Sequence, residues 1–328
     1  VTNLREVVHI VMLHLTGLTD RDRARCSGRT AQIRYVPISE KQKEGVKATM
    51  RWKFTFEESR QYVTVYTPIE TRYVIPEAPS SFQSLEAVMM DMDGSSTDTE
   101  KLVLKAMRQM MREVLGNPQF RFAREDFPHI IGDSTTNHVR YLVSTYNLDP
   151  AQLDHYIDIY YRRYHQTLYD IRDGKITETL IQPMPGLKEF LTTLKQKGIK
   201  IGLVTSSLKK EADIVMPEVF KRMGMGPDYE SFYDGVIAAD EVGEAFLKPH
   251  PNLYVRIAEE KLNVQNKRNC FVVEDSTAGI IAARVAGFAV AAVPHPGTRD
   301  HSFELANLGV MKRRLPEILE RNLFLAYT

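Results

Sequence analysis

From residue 180 to residue 293, short apolar runs alternate with stretches of helical pattern, and this constrains the fold more than any other feature of the chain. Ile199 to Val204, Asp234 to Ala239, Asn269 to Val273 and Phe288 to Val293 read as strands. Between them lie helical segments such as Leu187 to Lys197, opened by Pro183-Met184-Pro185-Gly186 and closed by Gly198. Upstream, Leu85 to Met90 is another apolar run, ending at Asp91. Runs apolar at every position suit strands buried on both faces, so the expected core is an α/β, doubly wound parallel sheet with helices on both sides.

The flanking regions follow different patterns. Val46 to Phe56 alternates apolar and polar residues with period two, the mark of a half-buried strand. Glu57-Glu58-Ser59-Arg60 reads as a turn and Tyr62 to Thr67 as the second strand of a hairpin. Thr30 to Tyr35 alternates more weakly, residues 4 to 15 are ambiguous, and Pro76 to Ser81 reads as a linker. Residues 1–84 are thus a small β-rich segment. Residues 101–179 are mostly helical by pattern, with Tyr156, Tyr160, Tyr161 and Tyr164 spaced to share one helix face, read as core.

With 328 residues and 43% hydrophobic content the chain can bury a sizeable core. A formal net charge of +1 points to neither a nucleic-acid nor a membrane partner. The first 80 residues carry 13 Lys/Arg against 9 Asp/Glu, a balance that suits a solvated sheet face. No stretch reaches the roughly 20 apolar residues of a membrane helix. Val7 to Leu15 is broken by His9 and His14 and lacks a cleavage-like site. Two cysteines, Cys26 and Cys270, make no disulfide framework, and a cytoplasmic setting is expected. The chain opens on Val rather than Met, which leaves open whether the natural start is present.

Four polar patterns fall at the carboxyl ends of expected strands, the edge where parallel sheets bind ligands. They are Asp91-Met92-Asp93-Gly94, Thr205-Ser206-Ser207, Lys248-Pro249 and Glu274-Asp275-Ser276. The 114 residues from Asp91 to Thr205 leave room for an inserted cap. Each pattern suits phosphoryl transfer. Asp91 is placed as a nucleophile toward phosphorus, with Asp93 as the acid and base. Thr205, Ser206 and Lys248 are placed on phosphate oxygens. Asp91, Asp93 through its carbonyl, Asp275 and Glu274 supply the oxygen-rich set that Mg2+ prefers, Glu274 as ligand or as orienting group. Taken singly each pattern also fits turns and helix caps; their joint order at four strand ends does not.

Residues 85 to about 312 resemble the haloacid dehalogenase-like hydrolases, in the subfamily of β-phosphoglucomutase and phosphoglycolate phosphatase. The matching stretches are Ala87 to Glu100, Pro185-Gly186-Leu187, Gly202 to Ser207, Leu247 to Pro251 and Val273 to Gly279. The resemblance implies a Rossmann-like core at 85–100 and 180–328 and a helical cap at 101–179 that closes over substrate. It implies a Mg2+-dependent phosphatase acting on a small phosphorylated metabolite, a sugar or polyol phosphate, through an aspartyl-phosphate. Asp93 is a residue that the family's dehalogenases and phosphonatases lack. A β-phosphoglucomutase-type mutase is the alternative, against which Thr135 and Val103 stand where such mutases carry Arg and His. A non-catalytic binding protein acting through its N-terminal segment is a second. Ser95-Ser96 and Asn252 depart from the common pattern, and Ser96 needs a hydrogen-bond partner if buried. In the cap, Asp133, Ser134 and Thr135 are candidates for substrate specificity. His250, His295 and His301 read as surface or loop groups, and the N-terminal segment leaves open a homodimer.

Overall fold

The computed structural model describes residues 52–57, 60–66, 70–79, 82, 84–130, 135–293, 305–306 and 315–320. The strand and helix expected at 30–35 and 4–15, and the first half of the strand expected at 46–56, lie outside them.

A three-stranded antiparallel sheet comes first: β1 (Trp52–Glu57), β2 (Arg60–Val65) and β3 (Thr71–Val74). The hairpin register pairs Phe54 with Val63 and Trp52 with Val65, so the period-two residues share one face. β3 was not expected: four residues shortly after Pro68 are too few to show a pattern, although Thr, Tyr and Val favour strands.

The core begins with β4 (Ala87–Asp91) and the two-residue β5 (Thr97–Asp98). Three helices follow: α1 (Glu100–Val114), α2 (Thr135–Thr145) and α3 (Leu153–Arg172). β6 (Gln182–Pro183) pairs antiparallel with β5, so the chain leaves for these helices and returns from them at one place. Then come α4 (Leu187–Gln196), β7 (Lys200–Val204), α5 (Lys209–Arg222), β8 (Gly235–Ile237), α6 (Ala239–Val242) and α7 (Asn252–Arg256). A π-helical turn, Ile257–Lys261, extends α7. β9 (Cys270–Glu274), α8 (Thr277–Val285), β10 (Ala289–Ala292) and α9 (Pro316–Glu320) complete the described strands and α-helices.

The central sheet has the order β10-β9-β4-β7-β8, and every pairing in it is parallel. This bears out the α/β, doubly wound expectation. β4 is buried along its whole length, and its residues divide by parity. Val88 and Met90 face a layer with Phe190, Leu194, Val215 and Phe220, continuous with the residues of α1–α3. Ala87 and Met89 face Leu253, Ile257, Ile280 and Ala283. Fully burying each such side chain contributes about 1.5–3 kcal/mol.

The N-terminal sheet lies against α8. Val63, Val65 and Ile75 cluster with Ile281, with Trp52, Phe54 and Tyr73 at the margin. The stretch expected as a linker is held at its start: Arg284 Nη2 donates to the Pro76 carbonyl at 2.7 Å, and just before it Ile75 N–H donates to the Gln61 carbonyl. Among the α3 tyrosines, Tyr156, Tyr160 and Tyr164 are buried, but Tyr161 is 42% exposed and is no core residue. It directly follows Tyr160, and neighbours on a helix point about 100° apart.

Candidate active site

In-register parallel pairing brings three of the four polar patterns together at strand ends; Lys248, expected at a fourth, instead lies in the loop after the 3-10 turn Glu244–Phe246. Asp91 is opposite Val204, the residue before Thr205, and Met90 is opposite Val273, the residue before Glu274. Three chain segments far apart in sequence therefore reach the same edge at the same height. Beyond Asp91 the chain turns sharply at Gly94, whose φ is +86°, and Gly94 N–H donates to the Thr97 carbonyl at 2.8 Å. Ser96 is fully buried, and its hydroxyl finds its partner in the Asp91 carbonyl at 2.6 Å.

Asp91, Glu274 and Asp275 offer oxygen atoms that lie within 4.8 Å of one another, and all three are buried. Lys248 enters this cluster with its ammonium on Asp91 Oδ1 and on Glu274 Oε1, the latter at 2.7 Å. Burial, and next the charge of Glu274, push the Asp91 carboxyl well above its ordinary range, against the pull of Lys248. Asp275 is raised in the same direction by burial and then by Asp91. Burial alone lowers the Lys248 ammonium, but Asp91 and Glu274 outweigh it and hold the group charged.

Glu274 is tightly engaged. Its Oε1 also accepts from the Tyr254 hydroxyl at 2.7 Å, and its Oε2 accepts from the Asp275 and Ser276 N–H groups and the Ser276 hydroxyl. Asp93 stands apart from the three-carboxylate cluster. Its Oδ1 accepts from Thr99 Oγ1 at 3.0 Å and its Oδ2 from Ser207 Oγ at 2.9 Å. Burial raises its carboxyl, with the Ser207 and Thr99 bonds opposing. Thr205 is buried, its Oγ1 accepting from Ser207 N–H, while Ser206 is exposed.

The cap candidates divide. Thr135 opens α2 and is half-buried; Asp133 and Ser134 lie outside the described residues. Burial raises the Tyr160 and Tyr164 hydroxyls, with the neighbouring Tyr161 adding next for Tyr160 and the Asp93 charge next for Tyr164. α3 also meets the core through His165 Nε2, 2.6 Å from Glu211 Oε1. His250 lies in a loop, as the sequence reading allowed, but not at the surface. It is 2% exposed, because Tyr73 and Phe246 cover it. His295 and His301 lie outside the described residues. Thr99, Ser207 and Tyr254 were not singled out from sequence. Thr99 and Ser207 sat inside the quoted stretches, whereas Tyr254 had no local signal.

The three clustered carboxylates face a single ammonium, and all their donor atoms are oxygen. That set fits a hard divalent cation such as Mg2+.

A sequence profile of the haloacid dehalogenase-like hydrolases matches residues 88–293. The chain belongs to that family. A phosphorylated carbohydrates phosphatase of Thermotoga maritima is 29% identical over 203 residues, which cover 62% of this chain and 82% of that protein. Hexitol phosphatase B of Escherichia coli O157:H7 is 26% identical over 239 residues, covering 70% and 93%. A solved Thermotoga maritima structure, named for β-phosphoglucomutase, is similar with a TM-score of 0.51 and 25% identity, covering 72% of this chain and 98% of that one. The β-sheet of residues 52–74 lies outside the matched region of this haloacid dehalogenase-like hydrolase.

Proposed function

We propose that this phosphoric monoester hydrolase is a Mg2+-dependent phosphatase that acts on phosphate esters of small sugars or polyols through a phosphorylated Asp91. The observation that carries the reading is the contrast between its two buried aspartates. Asp91 faces the Lys248 ammonium and two further carboxylates, whereas Asp93 is held off by two hydroxyls. Such a pair can divide the work of nucleophile and proton carrier.

In the first step an Asp91 oxygen attacks phosphorus, the bond to the substrate oxygen breaks, and Asp93 delivers its proton to the departing alkoxide. In the second, Asp93 takes a proton from water as the water oxygen attacks the same phosphorus. Phosphate leaves and the Asp91 carboxylate is restored. Thr99 and Ser207 orient Asp93 between the two steps. Lys248 and Thr205 hold phosphate oxygens as charge shifts onto them, a contribution of a few kcal/mol each. Asp91, the Asp93 backbone carbonyl and Asp275 would hold Mg2+, which when bound would supply positive charge to the transferring phosphate. Glu274, with both oxygens occupied, orients Lys248 and the Asp275 backbone. The helices α1–α3 act as the cap, with the α3 face bearing Tyr160 and Tyr164 closing over the site. The phosphatase names of the relatives support the substrate class.

The test is phosphate release from a panel of sugar and polyol phosphates, with Mg2+ and with chelator, for wild type and Asp91→Asn. Turnover that needs Mg2+ and falls at least about 1,000-fold in Asp91→Asn is expected. Isomerisation of a sugar phosphate in place of phosphate release would replace this reading with that of a mutase.

A further inference from the structure

The sheet ahead of the family region reaches the loop that carries Lys248. On β3, Tyr73 is the cross-strand partner of Val63 and shares its inward face. The Tyr73 hydroxyl lies 2.5 Å from His250 Nδ1, and the two rings meet edge-on with centroids 5.7 Å apart. His250 N–H in turn donates to the Leu247 carbonyl at 2.9 Å, a tight turn that encloses Lys248. Phe246 closes the other side of the imidazole, with centroids 6.4 Å apart. The sheet is also fixed from below, by Val63, Val65 and Ile75 on Ile281 and by Arg284 on the Pro76 carbonyl. Tyr73 is thus held by a sheet pinned to α8 and contacts a segment with little regular structure of its own. Between α6 and α7 the chain has one short 3-10 turn, Glu244–Phe246, and no strand.

Lys248 needs such support. Its side chain is long and flexible, yet it is 6% exposed and must meet Asp91 and Glu274 together. A shift of about 1 Å in a positioning group can cost a hundredfold in rate. We propose that Tyr73 is a positioning residue, which through His250 sets the backbone from which Lys248 reaches Asp91. The N-terminal sheet is then a working part of the catalytic unit. This rests on the role given to Lys248 under Proposed function.

The experiment compares Tyr73→Phe, His250→Ala and the double variant with wild type. The control is Arg72→Ala, on the opposite face of β3, where the guanidinium lies over the Tyr62 ring. Tyr73→Phe is expected to lower kcat about tenfold with KM within about twofold. The double variant should be no slower than His250→Ala alone, since both act through one contact. Amide exchange across 247–252 should quicken in Tyr73→Phe and not in Arg72→Ala. A Tyr73→Phe enzyme with wild-type kcat overturns the proposal, as does one whose only change is a lower melting temperature. Unchanged exchange at 247–252 overturns it whatever the activity. Quicker exchange in a protein with no phosphatase turnover leaves the hold on the loop standing and sinks the phosphatase reading instead.

Discussion

A Cβ built on Gly279 would stand 1.7 Å from Glu274 Oε1, and one on Gly94 would stand 2.0 Å from Asp275 Oδ2. The backbone at these two glycines forms the wall against which two of the clustered carboxylates rest. Gly94 also has φ +86°, which an L side chain adopts only with strain of about 1–3 kcal/mol. Gly94→Ala should therefore lower the unfolding free energy in urea by that amount. It should also cut kcat by about 100-fold as Asp275 is displaced. A milder substitution effect, below twofold in kcat, would mean that Asp275 can give way without loss. Cys270 makes a different prediction. Burial, and next the charge of Glu86, push its thiol up to about 12. The thiolate is the reactive form, so at pH 8 the native protein should leave Cys270 unlabelled by iodoacetamide, with labelling appearing in urea. Peptide mass mapping reads this directly. The residues that the sequence made visible each end an apolar run, as Asp91 and Glu274 do. Those it hid work through bonds across the chain: Tyr254 to Glu274 over 20 residues, and Tyr73 to His250 over 177. No local pattern marks such partners.

At the scale of elements the same division holds. The central strands were legible because burial on both faces leaves an unbroken apolar run, and boundaries moved by no more than a residue or two. β3, β5 and β6 were not, since strands of four, two and two residues fall below any periodicity. A further element held by long-range bonds is the 3-10 segment Arg124–His129, between α1 and α2. Asp126 is 2% exposed and accepts from Ala123 N–H at 2.7 Å, the Tyr141 hydroxyl at 3.0 Å and the Tyr146 hydroxyl at 2.5 Å. Burial and then Asp126 push the Tyr146 hydroxyl up to about 12, so it stays a donor at neutral pH. Asp126→Ala removes the acceptor from all three donors. Hydrogen bonds to a charged group contribute about 1.5–3 kcal/mol each, and the losses here overlap. A destabilisation of about 3 kcal/mol is expected in urea unfolding, while Asp126→Asn, which keeps one acceptor oxygen, should cost less. Equal costs for the two variants would mean that the segment is held by its apolar contacts alone.

For the whole molecule, the consequential question is whether the sheet of residues 52–74 belongs to the enzyme or merely accompanies it. The family region starts at residue 88, so the fold of its relatives does not call for this sheet. Yet Ile281, fully buried here, clusters with Val63, Val65 and Ile75, and Arg284, 6% exposed, loses its Pro76 acceptor if they are removed. Removing residues 1–81, which leaves the buried Phe82 on Phe271, would uncover Ile281 and Val285 on α8, the helix that follows Glu274 and Asp275. Exposing one or two such side chains costs about 2–4 kcal/mol. The remaining 247 residues should then melt roughly 5–15 °C lower, at about 2–4 °C per kcal/mol. The loss of Tyr73 should appear separately, as a fall in kcat at temperatures where the truncated protein is still folded. Calorimetry and steady-state kinetics on the same preparation distinguish the two effects. A lower melting temperature with unchanged kcat makes the sheet a clamp on α8 and nothing more. An unchanged melting temperature with unchanged kcat makes it a passenger, and the apolar face of α8 must then find cover elsewhere, in a dimer that sedimentation would reveal.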